Sequence, residues 1–410
     1  MIKYWIWLAS ICSAQVRTKH KMLGIYSSPK EIFFAPENDI GGIDWLSTRD
    51  KSALLEKNLS KVYEILERCN EKEIDVVTIQ DARYPERLRN IDDPPLVLYV
   101  KGRLPAVDEE AAIAIVGTRG ATPYGLSNSQ RLGYELARAG ALVVSGLATG
   151  IDSGAAIGAV KAGKPVIGVL GCAIDDVYPK NNVELYGDVE QVGALVSEYP
   201  PGYPIKKENF PARNRIISGL SVGVVIIEAP ARSGALITAS LALEQGRELF
   251  VLPGNVDSKA SMGSNRLLSE SAAKAVVSGK DILVEFEGLF PWKLRARKSP
   301  DSKYLSEIEM PDNAKKSGEN TMFSQGNSKK VIDKVEDKRY IDLREQLEGL
   351  SEDELALVSH ITRLPKHIDD IIELSGLPVS RALAAMTMLQ LKGHVAEHNG
   401  KRFSLIIIKK

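Results

Sequence analysis

The chain of 410 residues is 44% hydrophobic and 26% charged, and its 53 Lys/Arg are matched by 53 Asp/Glu. That length allows two or three domains with at least one sizeable core, while a formal net charge of zero excludes a global basic field, so any anion site must be local. Three cysteines, Cys12, Cys69 and Cys172, show no metal or redox spacing, which excludes a disulfide framework and points to a reducing, cytoplasmic setting.

The N-terminal "MIKYWIWLASICSAQ" has the outline of a secretory signal, but its apolar run is short and aromatic-rich, and Arg17, Lys19, His20 and Lys21 follow closely. It reads instead as a buried amphipathic first helix, and no stretch reaches the roughly 18 apolar residues of a membrane span. Helical patterns at 3–16, 27–35 and 43–69 make residues 1–72 a small all-helical domain of a SAM or helix–hairpin–helix kind. Both a cap or dimerisation element and a binder of the DNA backbone are open for it. The prolines of 81–102 forbid a helix there and leave a strand at 96–100.

Residues 111–287 repeat short β-branched runs: "AIAIVG", "ALVVSG", "PVIGVLG", "ALVSEY", "VGVVIIEA" and "ELFVLPG", separated by helical stretches. Strands apolar on both faces that alternate with helices predict a doubly wound α/β fold with a parallel sheet covered on both sides. The core is placed at 73–290. Residues 291–340 are polar and aperiodic and read as a flexible linker. In 341–410, three helical patterns precede "HVAEHNGKRFSLI", a hairpin turning at Asn399-Gly400. The combination is a winged-helix module. Its recognition helix carries only Arg381 and Lys392, so duplex DNA and a protein partner stay open as its target.

Ligands of such a sheet bind at the carboxyl ends of the strands, and the segments that follow the strands are informative. "GTRGATPYG" supplies Gly117, Thr118 and Arg119, with a helix N-terminus behind them to favour an anion. Its spacing is not G-x-G-x-x-G, and neither a ribose-gripping acid nor a G-x-x-x-x-G-K-[ST] loop is present. "SGLATGIDSGAA" brings Ser145 and Gly146, "GCAIDDVYPKNN" brings Tyr178 and Lys180, and "EAPARSGALITAS" brings Ser233, Gly234 and Thr238. Between the fourth and fifth runs, "FPARNR" sets Phe210, Arg213, Asn214 and Arg215 at a helix start, where two arginines oppose the helix dipole. A bound phosphate would reverse that sign. Structural pairing of the arginines with Glu228, Glu198 or Asp152 is the other reading, as a buried anchor is for Phe210. No His or Cys nucleophile, catalytic carboxylate pair or metal-ligand set is spaced for chemistry.

Taken together, "IVGTR…YG", "VVSGLATGID", "GVLGCAIDDVYPKNN", "SEYPPG…FPARNRIISGLS" and "VVIIEAPARSGALITASLALEQGRELFVLPGNVDS…GSNRLL" closely resemble the DNA-processing protein A (DprA/Smf) family, from about 74 to 282. The resemblance implies an extended Rossmann-like core between a helical N-terminal domain and a winged helix. It implies a non-catalytic protein without cofactor or metal that binds single-stranded DNA, protects strands entering during natural transformation and helps load the RecA recombinase. It also implies a homodimer formed through the core. The DNA pocket it implies comprises Gly117, Thr118, Arg119, Ser145, Gly146, Lys180, Phe210, Arg213, Asn214 and Arg215, with Ser233, Gly234 and Thr238 as neighbours. Two positions depart from the family pattern, Ala156 in place of a histidine and Ser271 in place of a glycine. On this reading, replacing Arg213 and Arg215 by alanine weakens strand binding and leaves the core folded. The alternatives are a nucleotide-processing enzyme of the phosphoribohydrolase type, whose P-G-G-x-G-T-x-x-E loop the chain lacks, and a duplex-binding regulator acting through the winged helix.

Overall fold

The computed structural model describes residues 1–11, 15–294, 350–358, 360–361, 366–398 and 401–405. The expected linker from 295 onward, the hairpin turn at Asn399-Gly400 and Cys12 lie outside the described residues.

Six helices open the chain: α1 (Ile2–Ser10), α2 (Val16–Ile25), α3 (Pro29–Phe34), α4 (Glu37–Gly41), α5 (Thr48–Leu55) and α6 (Ser60–Glu71). The single helix expected over 43–69 is two. Ser47 caps the first by accepting the Asp50 N–H at 3.1 Å, and the chain leaves helical geometry after Leu55 until Asn58 Oδ1 accepts the Ser60 N–H at 2.8 Å. The first helix is buried as expected, through Tyr4, Trp5, Ile6, Trp7 and Leu8, but it ends at Ser10 and not at 16, where α2 begins. These side chains join the same hydrophobic cluster as Tyr99, Ile113, Ile115 and Val143 of the sheet, so the helices pack directly on the core. At roughly 1.5–3 kcal/mol per buried large apolar side chain, that contact is a major stabilising term.

The strands are β1 (Asp75–Thr78), β2 (Val97–Gly102), β3 (Ala112–Val116), β4 (Leu142–Ser145), β5 (Val166–Leu170), β6 (Ala194–Ser197), β7 (Gly223–Ile226), β8 (Glu248–Val251) and β9 (Lys274–Ala275). They form one sheet in the order β1-β2-β6-β5-β4-β3-β7-β8-β9. It is parallel from β6 to β9, with β2 and β1 added antiparallel at one end. Contrary to the expectation that the prolines of 81–102 forbid a helix, the short α7 (Glu86–Arg89) forms between β1 and β2 with Pro85 at its N-cap, where a missing N–H is harmless. The larger crossovers are α8 (Pro123–Arg138), α9 (Ile151–Lys161), α10 (Val183–Val192), α11 (Asn209–Gly219) and α12 (Gly234–Glu244). Helices α13 (Met262–Ser269) and α14 (Gly279–Leu283) flank β9.

Alternation along β3 explains the two-sided cover. Ile113 and Ile115 enter the cluster shared with the N-terminal helices, α8 and α9, whereas Ala112, Ala114 and Val116 enter a second cluster with Ile216, Ile217 and Ala239 of α11 and α12. Helices α8 and α9 approach closely because Gly133 faces the Ala155 carbonyl and Gly158 the Gln130 carbonyl, where a Cβ would collide with backbone.

The C-terminal part has helices at Glu352–Val358, Ile368–Ser375 and Val379–Leu391 and a three-stranded sheet of β10 (Lys366–His367), β11 (Val395–His398) and β12 (Arg402–Leu405), ordered β10-β12-β11. This is the winged-helix arrangement. Its core of Leu357, Ile371, Ala382, Met386 and Leu389 is its own. Among the described residues no helix is long and apolar enough to cross a membrane.

Candidate nucleic-acid interface

Strand order reverses at β3. From it the chain winds through β4, β5 and β6 on one side, and β7 and β8 continue on the other. The crevice between the ends of β3 and β7 is therefore the topological switch point, where such sheets hold ligands. Residues 117–122 leave β3 there, and residues 227–233 leave β7 beside them.

A buried carboxylate shapes the first loop. Glu228 is 1% exposed, and its oxygens accept the Thr122 N–H at 2.9 Å and the Thr122 hydroxyl at 2.5 Å, while its carbonyl accepts the Thr118 N–H at 2.7 Å. Thr122 then caps α8 by accepting the Gly125 N–H at 3.2 Å. This corrects the expectation that the N-terminus of α8 faces an external anion, because Glu228 already occupies it. The carboxylate instead fixes the loop so that Arg119 is carried outward.

A second buried acid, Asp152, ties together the ends of β3 and β4. One of its oxygens accepts the Gly117 N–H at 3.3 Å, and Gly146 gives it a further backbone hydrogen bond. Burial pushes its carboxyl up to about 6, against the lowering influence of Arg213 and these N–H groups. Ser145 lies beneath the rim, donating to the Asp152 carbonyl at 2.8 Å and accepting the Leu147 N–H at 3.2 Å. Leu147 adopts a left-handed φ of 51°, rare for a branched residue, and Asn182 holds its carbonyl at 2.9 Å. Gly150, at φ 88°, brings α9 against the Thr118 and Arg119 carbonyls.

Arg213 and Arg215 stand in the second turn of α11, not at its start. They are 4% and 5% exposed and committed to the interior. Arg213 donates through Nη1 to the Gly146 carbonyl at 2.8 Å and to the Val169 carbonyl, bracing the ends of β4 and β5. Arg215 donates to both Glu198 oxygens at 2.8 and 2.9 Å and meets Asp93 at 3.2 Å. Burial opposes its charge, yet Glu198 and Asp93 outweigh that and hold its pKa above the usual arginine value. The pairing with Glu198 is the structural alternative visible in sequence; Asp93, from the segment before β2, was not foreseen. The first turn of α11 holds no acidic residue, and Pro211 is tolerated there because its missing N–H needs no helical acceptor.

The solvent-facing groups are different ones. Arg119 is exposed, and its guanidinium lies 5.4 Å from the centroid of the Phe210 ring. Phe210 is half-buried, one side against Gly171, and Tyr178 sits 4.9 Å from it at an interplanar angle of 46°. Phe210 is thus both an anchor and part of a surface. Tyr178 is 40% exposed, and Lys180 is exposed on the turn of Lys180–Asn182 that follows. Asn214 donates to the Gly234 carbonyl at 3.3 Å, joining α11 to the start of α12, where Ser233 caps by accepting the Ala235 N–H at 3.3 Å. Thr238, one turn on, is 1% exposed.

Of the residues singled out in sequence, Thr118, Arg119, Lys180, Phe210, Asn214, Ser233 and Gly234 are thus at least partly open to solvent. Ser145, Gly146, Arg213, Arg215 and Thr238 lie beneath them, and Gly117 is half-buried at the tie to Asp152. Sequence reading missed the two buried acids as organisers, and it also missed Arg232, Lys206 and Lys207, which are exposed on the segments after β7 and β6. Proximity to strand ends could have flagged those three cations. Among the described residues no group of His, Cys, Asp and Glu is arranged to hold a metal ion.

Comparison with known proteins follows the same division. A family model described as DNA recombination-mediator protein A matches residues 75–287, and one described as the DprA winged helix domain matches residues 343–401. The chain is 40% identical to the DNA processing protein DprA of Bacillus subtilis over 244 residues, covering 58% of this chain and 82% of the relative. It is 30% identical to the protein Smf of Synechocystis over 357 residues, covering 85% and 84%. The X-ray structure of DNA processing protein A from Streptococcus pneumoniae superposes with a TM-score of 0.60 at 32% identity, covering 70% of this chain and 98% of that one.

Proposed function

This chain belongs to the DNA recombination-mediator protein A family, and on that premise we propose that it binds single-stranded DNA at the rim centred on Arg119, Phe210 and Tyr178. The observation that carries the reading is the stack itself: an exposed guanidinium on the loop that leaves β3 at the topological switch point, lying over one aromatic ring with a second ring beside it, the rings being carried by the segments after β6 and β5. Sequence-neutral binding of single strands combines cations along the backbone with aromatic faces for bases, and Lys180 and Arg232 add charge on the flanking loops. Gly117, Thr118, Asn214, Ser233 and Gly234 complete the floor. Ser145, Gly146, Arg213, Arg215 and Thr238 act by holding that floor in place.

The protein works as a non-catalytic mediator of recombination in the cytoplasm, presenting strands during transformation to a RecA-type recombinase. Support for the non-catalytic reading is that Asp152 and Glu228, the acids bonded to the loop that leaves β3, are buried in loop-holding hydrogen bonds. A homodimer forms through the core. The sheet ends at β9, and Met262 and Val277, on the segments flanking it, are 54% and 67% exposed. Titration of a fluorescent oligothymidylate against wild type and Arg119→Ala tests the site: the variant binds more weakly, and equal affinities reject it. Release of base from a nucleoside monophosphate would reject the non-catalytic reading.

A further inference from the structure

The segment between β6 and α11 carries a second aromatic group that the rim described above does not include. Tyr199 and Tyr203 stack with ring centroids 5.0 Å apart and 29° between planes, and Lys206 Nζ lies 5.3 Å from the Tyr203 centroid. The sheet places this group beside the first, since β6 neighbours β5, and the Tyr199 carbonyl accepts the Ile174 N–H at 3.2 Å from the loop that carries Tyr178. Seven residues after Tyr203 the same segment delivers Phe210 itself.

The far side of this group is built by the N-terminal helices. Gly202 is exposed at φ 74° with the Arg68 guanidinium of α6 packed against it, and a side chain at position 202 would displace that group. Asp175 fixes the turn by accepting the Gly202 N–H at 2.9 Å, and Lys72, at the C-cap of α6, counters its charge at 2.5 Å. Arg68, Lys206 and Lys207 are all exposed. Cations spaced along a row of aromatic rings are the construction that holds a single strand of any sequence, and here the row continues past the core.

We propose that the bound strand extends from the Arg119–Phe210–Tyr178 stack across Tyr199, Tyr203 and Lys206 to Arg68, so that helix α6 forms one end of the binding path. This inference rests on the single-strand reading given above. Its consequence is length dependence: a strand long enough to reach α6 gains contacts that a short one lacks. Lys206, on an exposed chain, moves from the tyrosine ring to a phosphate as a base takes its place.

The test uses the full chain and oligothymidylates of about 6 and about 20 nucleotides, spanning the range of site sizes that single-strand folds cover. In wild type the longer strand binds at least about tenfold more tightly than the shorter, and in Arg68→Glu/Lys206→Glu that ratio falls towards unity, a loss of the size expected for one stacked base and its phosphate. Lys161→Glu/Lys164→Glu, at exposed lysines at the end of α9 and before β5 and so away from the carboxyl ends of the strands, makes the same change in net charge and keeps the wild-type ratio. A ratio unchanged in the double variant overturns the extended path. Because Arg119→Ala weakens both strands if the primary site is right, failure of that variant to do so rejects the primary reading separately. Tyr203→Leu, which keeps an apolar side chain in the turn, should lower the ratio as well.

Discussion

Two buried charges decide what the rim residues do. Arg215 bridges Glu198 and Asp93 from a position with almost no solvent contact. Its removal leaves two carboxylates facing each other, and breaking a buried pair in that way costs about 3–5 kcal/mol. Arg215→Ala is therefore expected to lower stability by about 3 kcal/mol in urea unfolding, the low end because Asp93 is partly exposed, with Arg215→Lys recovering only part because a single ammonium cannot reproduce separate Nη2 and Nε contacts to Glu198 and Asp93. The burial and pairing of this arginine argue against the sequence-based expectation that its replacement leaves the core unaffected. Asp152 gives a pH signature. Its folded value of about 6 lies above the ordinary 3.8, so between those values the native chain holds a proton that the unfolded chain has released. Stability from this group is greatest at low pH and falls as pH rises through the window, by about 3 kcal/mol. Asp152→Asn removes that slope, and comparing thermal unfolding of the two proteins from about pH 4 to about pH 6 checks it.

At the scale of elements, β3 to β8 were legible because two-sided burial makes each strand a short apolar run between glycines, and the loops at their carboxyl ends followed from parallel topology. Helix α2, the break before α6, and the strands β1 and β9 were not. The first is rich in basic residues, and only Lys19 and Met22 are buried. The last is two residues long with both exposed, so it lacks any periodic signal. Charged residues on short loops were the least legible feature, because the same arginine serves as a surface ligand or a buried brace according to depth. Arg119 and Arg213 look alike in sequence and lie on opposite sides of that boundary. The loop after β5 makes its own prediction. Tyr178 is exposed and stacks on Phe210, so Tyr178→Ala should weaken strand binding by about 1–3 kcal/mol, the worth of one stacked base, with little change in melting temperature. Phe210→Ala should lower both, because its ring also fills the space over Gly171.

For the whole molecule, neutrality is the telling property. With 53 positive and 53 negative side chains, the chain carries no net positive field, so on this account binding is local and only a few phosphates are neutralised. A single strand engaged by about three to five cations gives a slope of roughly −2 to −3.5 in log K against log salt, far shallower than a basic groove would. The winged-helix module points the same way. Arg381 pairs with Asp353 at 2.6 Å and Lys392 with Glu354 at 2.8 Å, while Val379, Leu383 and Leu391 of the same helix are exposed, so the face of that helix offers little unpaired positive charge to duplex phosphates. The central claim, that the strand lies on the exposed rim and not on the buried arginines, is tested most directly by charge reversal at Arg119. In an anisotropy titration with a fluorescent oligothymidylate, Arg119→Glu should bind far more weakly than wild type and more weakly than Arg119→Ala, with an unchanged unfolding midpoint. Wild-type affinity in that variant would contradict the account.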